Sequence, residues 1–166
     1  MAYVKSNLMP GEELIRLGKI HWIIYVRGFI FVILSAPFLL VHWLIIWAAE
    51  NEPQQQAETD IFLWIGGPLL ALGLYLIFSA FIARWTTELA VTTKRVIVKR
   101  GLIRRDTIEL NHNKVESMKV DQSVLGRMLN FGTLTVQGTG GGKTPVERIA
   151  KPLEFRRDAM EVVDRQ

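Results

Sequence analysis

The chain has 166 residues, of which 49% are hydrophobic and 22% are charged, with 20 basic and 16 acidic side chains. Its length suits one small domain, but its charge is unevenly spread, because no Lys or Arg lies between Gly28 and Ala83. The absence of cysteine excludes disulfide frameworks, thiolate metal sites and cysteine nucleophiles. The uneven charge indicates a membrane protein rather than a soluble domain.

The first 20 residues mix charged and apolar side chains, and the run Met9-Pro10-Gly11-Glu12-Glu13 is typical of a turn. A short amphipathic or extended segment follows this turn. We expect residues 1–20 to be a cytoplasmic lead-in to the membrane.

Two long apolar segments come next. The first covers about residues 22–49, and in its 22 residues from Gly28 onward His42 is the one ionisable side chain. As a helix these 22 residues reach roughly 33 Å, which exceeds a hydrocarbon core of about 30 Å. The second segment, residues 61–83, carries no charge. The sequence therefore predicts a transmembrane hairpin over residues 21–84.

The flanking charges predict the orientation of this hairpin. The segment 50–60 carries four acidic residues and no basic residue, and we expect it to be an external loop. Basic residues flank the other ends of the spans: Lys5, Arg16, Lys19, Arg27, Arg84, Lys94 and Arg95. Since Lys and Arg residues that flank transmembrane segments are retained on the cytoplasmic side, both termini should be cytoplasmic. A cleavable signal peptide is the rival interpretation, but the first apolar stretch is far longer than a signal h-region.

After Arg84 the hydrophobic pattern changes to short alternating runs separated by turn residues. Strands are expected near 86–91, 95–99, 106–110, 115–120, 133–137 and 146–150. A short helix is expected over 123–130 with Ser123 as its N-cap, and Pro152 should open a C-terminal helix. These elements predict an antiparallel α+β domain, a small barrel or sandwich, over residues 85–166.

Two stretches carry a family resemblance. Residues 89–103 read LAVTTKRVIVKRGLI, and residues 123–136 read SVLGRMLNFGTLTV. The first resembles the opening, and the second the later helix and Gly-Thr strand, of the bacterial pleckstrin-homology-like domain found in small two-helix membrane proteins. The resemblance implies a membrane α-helical hairpin plus a PH-like β-barrel or sandwich capped by a C-terminal helix. It also implies a multi-pass protein of the bacterial inner membrane.

Six basic residues near one predicted β-hairpin are the candidate binding residues: Lys94, Arg95, Lys99, Arg100, Arg104 and Arg105. Residues 84–166 contain 16 basic and 10 acidic side chains, and anionic headgroups attract such a surface. The alternative interpretation is that these residues fix the topology and keep edge strands soluble. Both interpretations stay open at this point.

In the second span, Gly66 and Gly73 are candidates for close helix packing, either within the hairpin or between copies of the chain. Gly140-Gly141-Gly142-Lys143-Thr144 is not a phosphate-binding loop, because Gln137 stands where the first glycine of that motif belongs. His21, His42 and His112 are scattered, and no pair has metal-ligand spacing. We therefore expect no enzyme activity, no cofactor and no metal.

The leading hypothesis is a non-enzymatic, membrane-anchored binding or scaffold module that acts on a protein partner or anionic lipid. The second hypothesis is an accessory or assembly subunit of a larger membrane complex. Membrane lipids, a membrane-protein partner and further copies of the chain are the candidate partners. Nucleic acid is excluded, because a domain tethered at the bilayer has little access to it and no recognition helix is apparent.

Overall fold

The computed structural model describes the chain from residue 4 to residue 164 except residues 5, 49–52 and 103–104, and it describes residues 53–59 by their backbone alone. Residues 24–81 form one compact unit, which we call the hairpin. The segments on either side of the hairpin in the chain together form a second compact unit, which we call the sheet domain.

Helices α1, Val26–Ala48, and α2, Pro53–Thr86, form the hairpin, and a short 3-10 turn at Trp22–Tyr25 precedes α1. Helix α2 begins before the predicted span of residues 61–83, so residues 53–60 are helical rather than part of a loop. A proline at the first helical position and the helix-forming residues after it account for this early start. The rest of the predicted loop lies outside the described residues.

Among the described residues, the sheet domain contains two antiparallel sheets. The first sheet has the strand order β1-β2-β3-β4, formed by Leu14–Gly18, Glu88–Thr92, Arg95–Arg100 and Asp106–Asn111. The second has the order β5-β6-β7, formed by Val115–Asp121, Phe131–Gly138 and Lys143–Ala150. Helix α3, Val124–Met128, connects β5 to β6, and helix α4, Pro152–Val163, follows β7.

The core lies between the two sheets and helix α4. Strands β2 and β3 contribute alternate side chains, as expected when one face of a sheet is buried. Phe155 and Ala159 of α4 pack against the same cluster and are fully buried. The core residues are Leu89, Val91, Val96, Val98, Val115, Met118, Leu134, Val136, Val146, Ile149, Phe155 and Ala159. The structure confirms the predicted helical hairpin plus a small antiparallel β-domain with a C-terminal helix.

Strand β1 comes from the segment that the sequence analysis treated as a lead-in. It pairs with β2, and Gly18 lies opposite Leu89. The chain then crosses to β7, where the Ala150 N–H donates to the Lys19 carbonyl at 2.8 Å and the His21 N–H donates to the Arg148 carbonyl. Residues 14–21 therefore close one corner between the sheets, and the hairpin is inserted between the first two strands of the sheet domain.

These connections define two ends of the sheet domain. We call the end where β1 stops and β2 starts the hairpin end, because His21 leads into the hairpin there and Thr87 alone separates α2 from β2. The opposite end is the distal end. Because neighbouring strands are antiparallel, β3 stops and β4 starts at the hairpin end. Ala150 of β7 contacts Lys19 and lies opposite Phe131, the first residue of β6. Because α3 leads into β6, this helix also lies at the hairpin end.

Candidate binding surface

The fold divides the predicted basic cluster between the two ends of the sheet domain. Lys94 and Arg95 lie at the β2–β3 turn, which is at the distal end. Lys99 and Arg100 finish β3 at the hairpin end, roughly 16 Å from Arg95 at the usual rise of a strand. Arg105 directly precedes β4 at the same end. Arg104 lies outside the described residues. The predicted basic cluster is therefore divided between two separate surfaces.

Arg95 is a correction to the predicted binding set, because its side chain is buried. The residue is 6% exposed, and its Nη2 contacts Oε2 of Glu12 at 2.9 Å while its Nη1 contacts Oε2 of Glu109 at 2.6 Å. Its second Nη2 contact is the Asn7 carbonyl at 3.0 Å. The guanidinium therefore links the N-terminal segment, which precedes β1, to the first sheet and is not accessible to a lipid headgroup.

The surroundings of Glu12 favour its ionised form. Burial raises the pKa of Glu12, but the Met9 N–H, the Thr92 hydroxyl and the Arg95 guanidinium all donate to the carboxylate and together hold that pKa below its ordinary value. The same contact raises the pKa of Arg95 against the opposing effect of burial. Both groups therefore stay charged at neutral pH, and the buried ion pair is complete.

The N-terminal segment also covers the outer face of the first sheet. Val4 is fully buried against Ala90 and Ile97, and Leu8 packs beside them. The Val4 N–H donates to a carboxylate oxygen of the buried Glu88 at 3.1 Å. Within the described residues, this face of β2 and β3 is therefore occupied by the chain's own N terminus.

The hairpin end presents basic side chains from separate parts of the sequence. Lys19, Arg84, Arg105 and Arg127 are exposed there, and Lys99 and Arg100 are half-buried. Asp106 and Asp121 are acidic residues at the same end. Sequence reasoning missed Lys19 and Arg127 as members of this surface, because they are distant along the chain and only the bridge from residues 19–21 to β7 brings them to one end.

The three histidines lie apart and do not form a site. His21 precedes the hairpin, and its pKa is lowered by burial and by the charge of Arg84. His112 is buried at the distal end, where its Nε2 lies 2.9 Å from the Thr92 carbonyl. His42 belongs to α1. Across the described ranges, no group of three or more His, Asp or Glu side chains is arranged to hold a metal ion.

A groove of about 610 Å³ lies between the edge strand β5 and helix α4. Met118 and Met160 give it an apolar component, and charges of both signs surround them. Its lining residues are Glu116, Ser117, Met118, Arg156, Arg157, Met160, Glu161 and Asp164. An extended protein segment suits such a groove, because the edge of a sheet offers backbone hydrogen bonds and the apolar side chains offer pockets.

Within the hairpin, the predicted packing glycines lie at the contact between α1 and α2. A Cβ on Gly73 would stand 2.9 Å from the backbone nitrogen of Val32 and 3.0 Å from the carbonyl oxygen of Gly28. A Cβ on Gly66 would stand 3.0 Å from Leu39. Gly28, which the sequence analysis did not select, is the partner of Gly73. These glycines therefore serve packing inside one hairpin.

Comparison with known proteins identifies the domain. The model of the family described as "Bacterial PH domain" matches residues 59–163, which extend from the second apolar segment to the end of α4. No curated protein and no solved structure matches the chain. Strand β1 and helix α1 lie outside the matched residues.

Proposed function

The chain belongs to the bacterial PH domain family, whose domains are typically non-catalytic binding or scaffold modules, and on this premise we propose that it is a membrane-anchored module of the inner membrane whose hairpin end contacts anionic lipid. The observation that carries the proposal is the gathering of exposed basic residues at the end of the sheet domain from which both spans depart. A protein partner would then be held by the remaining surfaces.

The hairpin supports the anchoring part of the proposal. Among the described residues, Trp22–Ala48 and Asp60–Thr86 are long and apolar enough to cross a membrane, with mean hydropathies of 2.5 and 2.1. Only 6% and 11% of their apolar windows are buried, whereas the core helix of a soluble protein would be mostly buried. A cleaved signal peptide suits the first helix poorly, because cleavage would remove β1 from the sheet.

Strand pairing supports a shared side for both connections. Gly18 and Leu89 are neighbours in one sheet, so the start of the first span and the end of the second lie on the same side of a membrane. The basic residues flank this side, and the acidic segment 50–60 lies between the spans on the other. By the positive-inside rule, the sheet domain and both termini are then cytoplasmic.

Electrostatics favours the hairpin end over the distal end as the lipid contact. Each Lys or Arg near an anionic leaflet contributes about 1 kcal/mol of attraction, and this attraction fades within a Debye length of about 8 Å. The single residue between α2 and β2 leaves no linker that would separate the domain from the membrane surface. Lys99 and Arg105 are therefore the central candidates of the predicted set, and Lys94 is a natural control.

The test is to purify the full chain in mild detergent and to identify the lipids and proteins that accompany it by mass spectrometry. The double variant Lys99→Glu with Arg105→Glu should lower the ratio of anionic to zwitterionic lipid. The matched distal pair, Lys94→Glu with Lys114→Glu, changes charge equally and should leave that ratio unchanged. Equal loss from both pairs, or no loss from either, would contradict a lipid contact at the hairpin end.

The same purification tests the second candidate function, an accessory subunit of a membrane complex. The observation in its favour is an apolar groove of about 550 Å³ between α1 and α2, rich in aromatic side chains. It is lined by Tyr25, Phe29, Leu74, Ile77, Phe78 and Phe81. A stoichiometric protein that is lost on changing Phe29 or Phe78 to alanine would favour this function over lipid contact.

A further inference from the structure

Helix α3 exposes a cluster of apolar side chains that the core does not use. Val124, Leu125, Met128 and Leu129 are between 41% and 76% exposed, whereas Gly126 is buried at the centre of the helix. A soluble domain rarely leaves four neighbouring large apolar side chains uncovered, and such a patch usually marks a protein or membrane contact.

The exposure of α3 is built into the fold. The Gly126 N–H donates to Oγ of Ser123 at 3.1 Å, and Nε2 of Gln122 donates to the Phe131 carbonyl at 2.9 Å. A Cβ on Gly126 would stand 2.7 Å from the Phe131 carbonyl oxygen, so the helix rests directly on the start of β6. Asn130, with φ 61°, then turns the chain into that strand. Helix α3 is therefore held with its apolar side chains outward.

Phe131, on which α3 rests, also contacts a residue of the segment that precedes the hairpin. The ring of Phe131 stacks on His21, with 5.3 Å between centroids and 26° between planes. Nδ1 of His21 accepts from the Ile23 N–H at 3.2 Å, and Trp22, the first residue of the apolar stretch, lies between them in the chain. The apolar cluster is thus fixed beside the residues at which the chain leaves the sheet domain.

We propose that α3 and the Leu129 that follows it insert Val124, Leu125, Met128 and Leu129 into the cytoplasmic leaflet, as a contact of the sheet domain with the bilayer in addition to the two spans. This inference rests on the membrane anchoring proposed above and adds a surface that the basic cluster does not include. Interfacial helices bury their apolar side chains about 5–10 Å into the headgroup and acyl boundary. Arg127 and Lys19 are exposed at the same end of the sheet domain, and basic residues are typical of the polar face of such helices.

Lipid suits this surface better than a second protein because of where the surface lies. Phe131, on which α3 rests, stacks on His21, and the next residue in the chain, Trp22, is exposed and belongs to a residue type that favours the membrane interface. Any protein docked on α3 would have to occupy the space that the proposed membrane surface fills.

The test exploits the absence of cysteine from the chain. Single variants Met128→Cys and Leu125→Cys of the full chain carry a polarity-sensitive fluorophore in vesicles of phosphatidylcholine and phosphatidylglycerol. Thr139→Cys is the matched control, because Thr139 is exposed beyond the other end of β6, and Ile33→Cys reports on the hairpin itself. Quenching is measured with a nitroxide on the lipid acyl chain and with iodide in water.

Insertion predicts several-fold stronger lipid quenching at positions 125 and 128 than at position 139, with the reverse order for iodide. If position 33 is quenched by lipid while positions 125 and 128 behave like position 139, the insertion of α3 is wrong and the anchoring stands. If position 33 also escapes lipid quenching, the anchoring itself fails. Labels at 125 and 128 that are shielded from both quenchers would show a protein cover on α3 and would equally overturn the proposal.

Discussion

The two ends of the sheet domain use the same residue types in opposite ways. At the distal end, Arg95 is buried between two carboxylates, and the Lys94 ammonium donates to the Pro10 carbonyl at 3.0 Å. At the hairpin end, Arg105 and Arg127 are exposed, and Arg127 adjoins the exposed Met128 in α3. At the distal end, Lys94 and Arg95 bind the segment that precedes β1. At the hairpin end, both basic and apolar side chains are exposed.

This difference teaches that a run of basic residues in sequence does not define one surface. Strand β3 carries the chain from one end of the domain to the other, so the beginning and the end of the run lie in different environments. Energetically the two ends also differ, because breaking a buried pair leaves an uncompensated charge while exposed charges contribute little. The difference between the two ends can be tested by mutation and truncation, first in the segment before β1, which Arg95 contacts.

The largest expected effect is the loss of folding without the N-terminal segment. Residues 87–164 expressed alone should not fold, because they lack β1 and lose Glu12, one of the two carboxylates that pair with the buried Arg95. A fusion that joins residues 6–21 to 87–164 through a short glycine-serine link should fold as a soluble domain, since Gly18 and Leu89 are already neighbours. Far-UV circular dichroism and thermal unfolding distinguish the two outcomes. Equal, cooperative unfolding of both polypeptides would show that β1 is dispensable.

The next effect separates the two neighbouring cations of the distal end. Arg95→Ala should lower the free energy of unfolding by about 3–5 kcal/mol, because Glu12 would remain buried without its partner. Lys94→Ala should change it by about 0.5 kcal/mol or less, since Lys94 is exposed. Chemical denaturation of the full chain in detergent measures both. Similar losses for the two variants would contradict the division between buried and exposed roles.

Much of the fold was readable from local sequence patterns. The strands predicted near 95–99, 106–110 and 115–120 end within one residue of β3, β4 and β5, because alternation and turn residues act locally. Pro152 indeed opens α4, since proline suits the first turn of a helix. The sequence left the segment at β1 open as amphipathic or extended, because the strand has five residues and its partner Val91 lies far along the chain.

The candidate site was less readable, because it depends on distant contacts. The burial of Arg95 requires Glu12, which is 83 residues away. The helix at α3 was predicted, but apolar residues in a short helix usually face a core, so their exposure needed the structure. Which basic residues lie at the hairpin end depends on the strand order and on the bridge from residues 19–21 to β7. The hydrophobic periodicity of the sequence predicts neither.

A smaller effect is expected for two glycines of α2, Gly67 and Gly73, because their surroundings differ. Gly73→Ala places a methyl group against the backbone of α1 and should destabilise the hairpin by about 1–3 kcal/mol. Gly67→Ala is the matched control, because a Cβ there meets nothing within 4 Å. Unfolding of the purified chain as denaturing detergent is added measures the difference. Equal sensitivity of the two variants would show that Gly73 does not set the helix contact.

The smallest expected effect is the pH dependence that Glu12 adds to stability. Because hydrogen bonds and Arg95 hold the pKa of Glu12 in the folded chain below its ordinary value of 4.5, the unfolded chain takes up the proton first as pH falls. The stabilisation is therefore complete above about pH 4.5 and is lost as pH falls through the lower, folded pKa. Glu12→Gln should be less stable than the parent chain at neutral pH, and the gap should narrow in acid. Glu13→Gln, an exposed neighbour, should show no such convergence in denaturant midpoints measured across the same pH range. A constant gap between Glu12→Gln and the parent chain would mean that the carboxylate charge is not what secures the distal end.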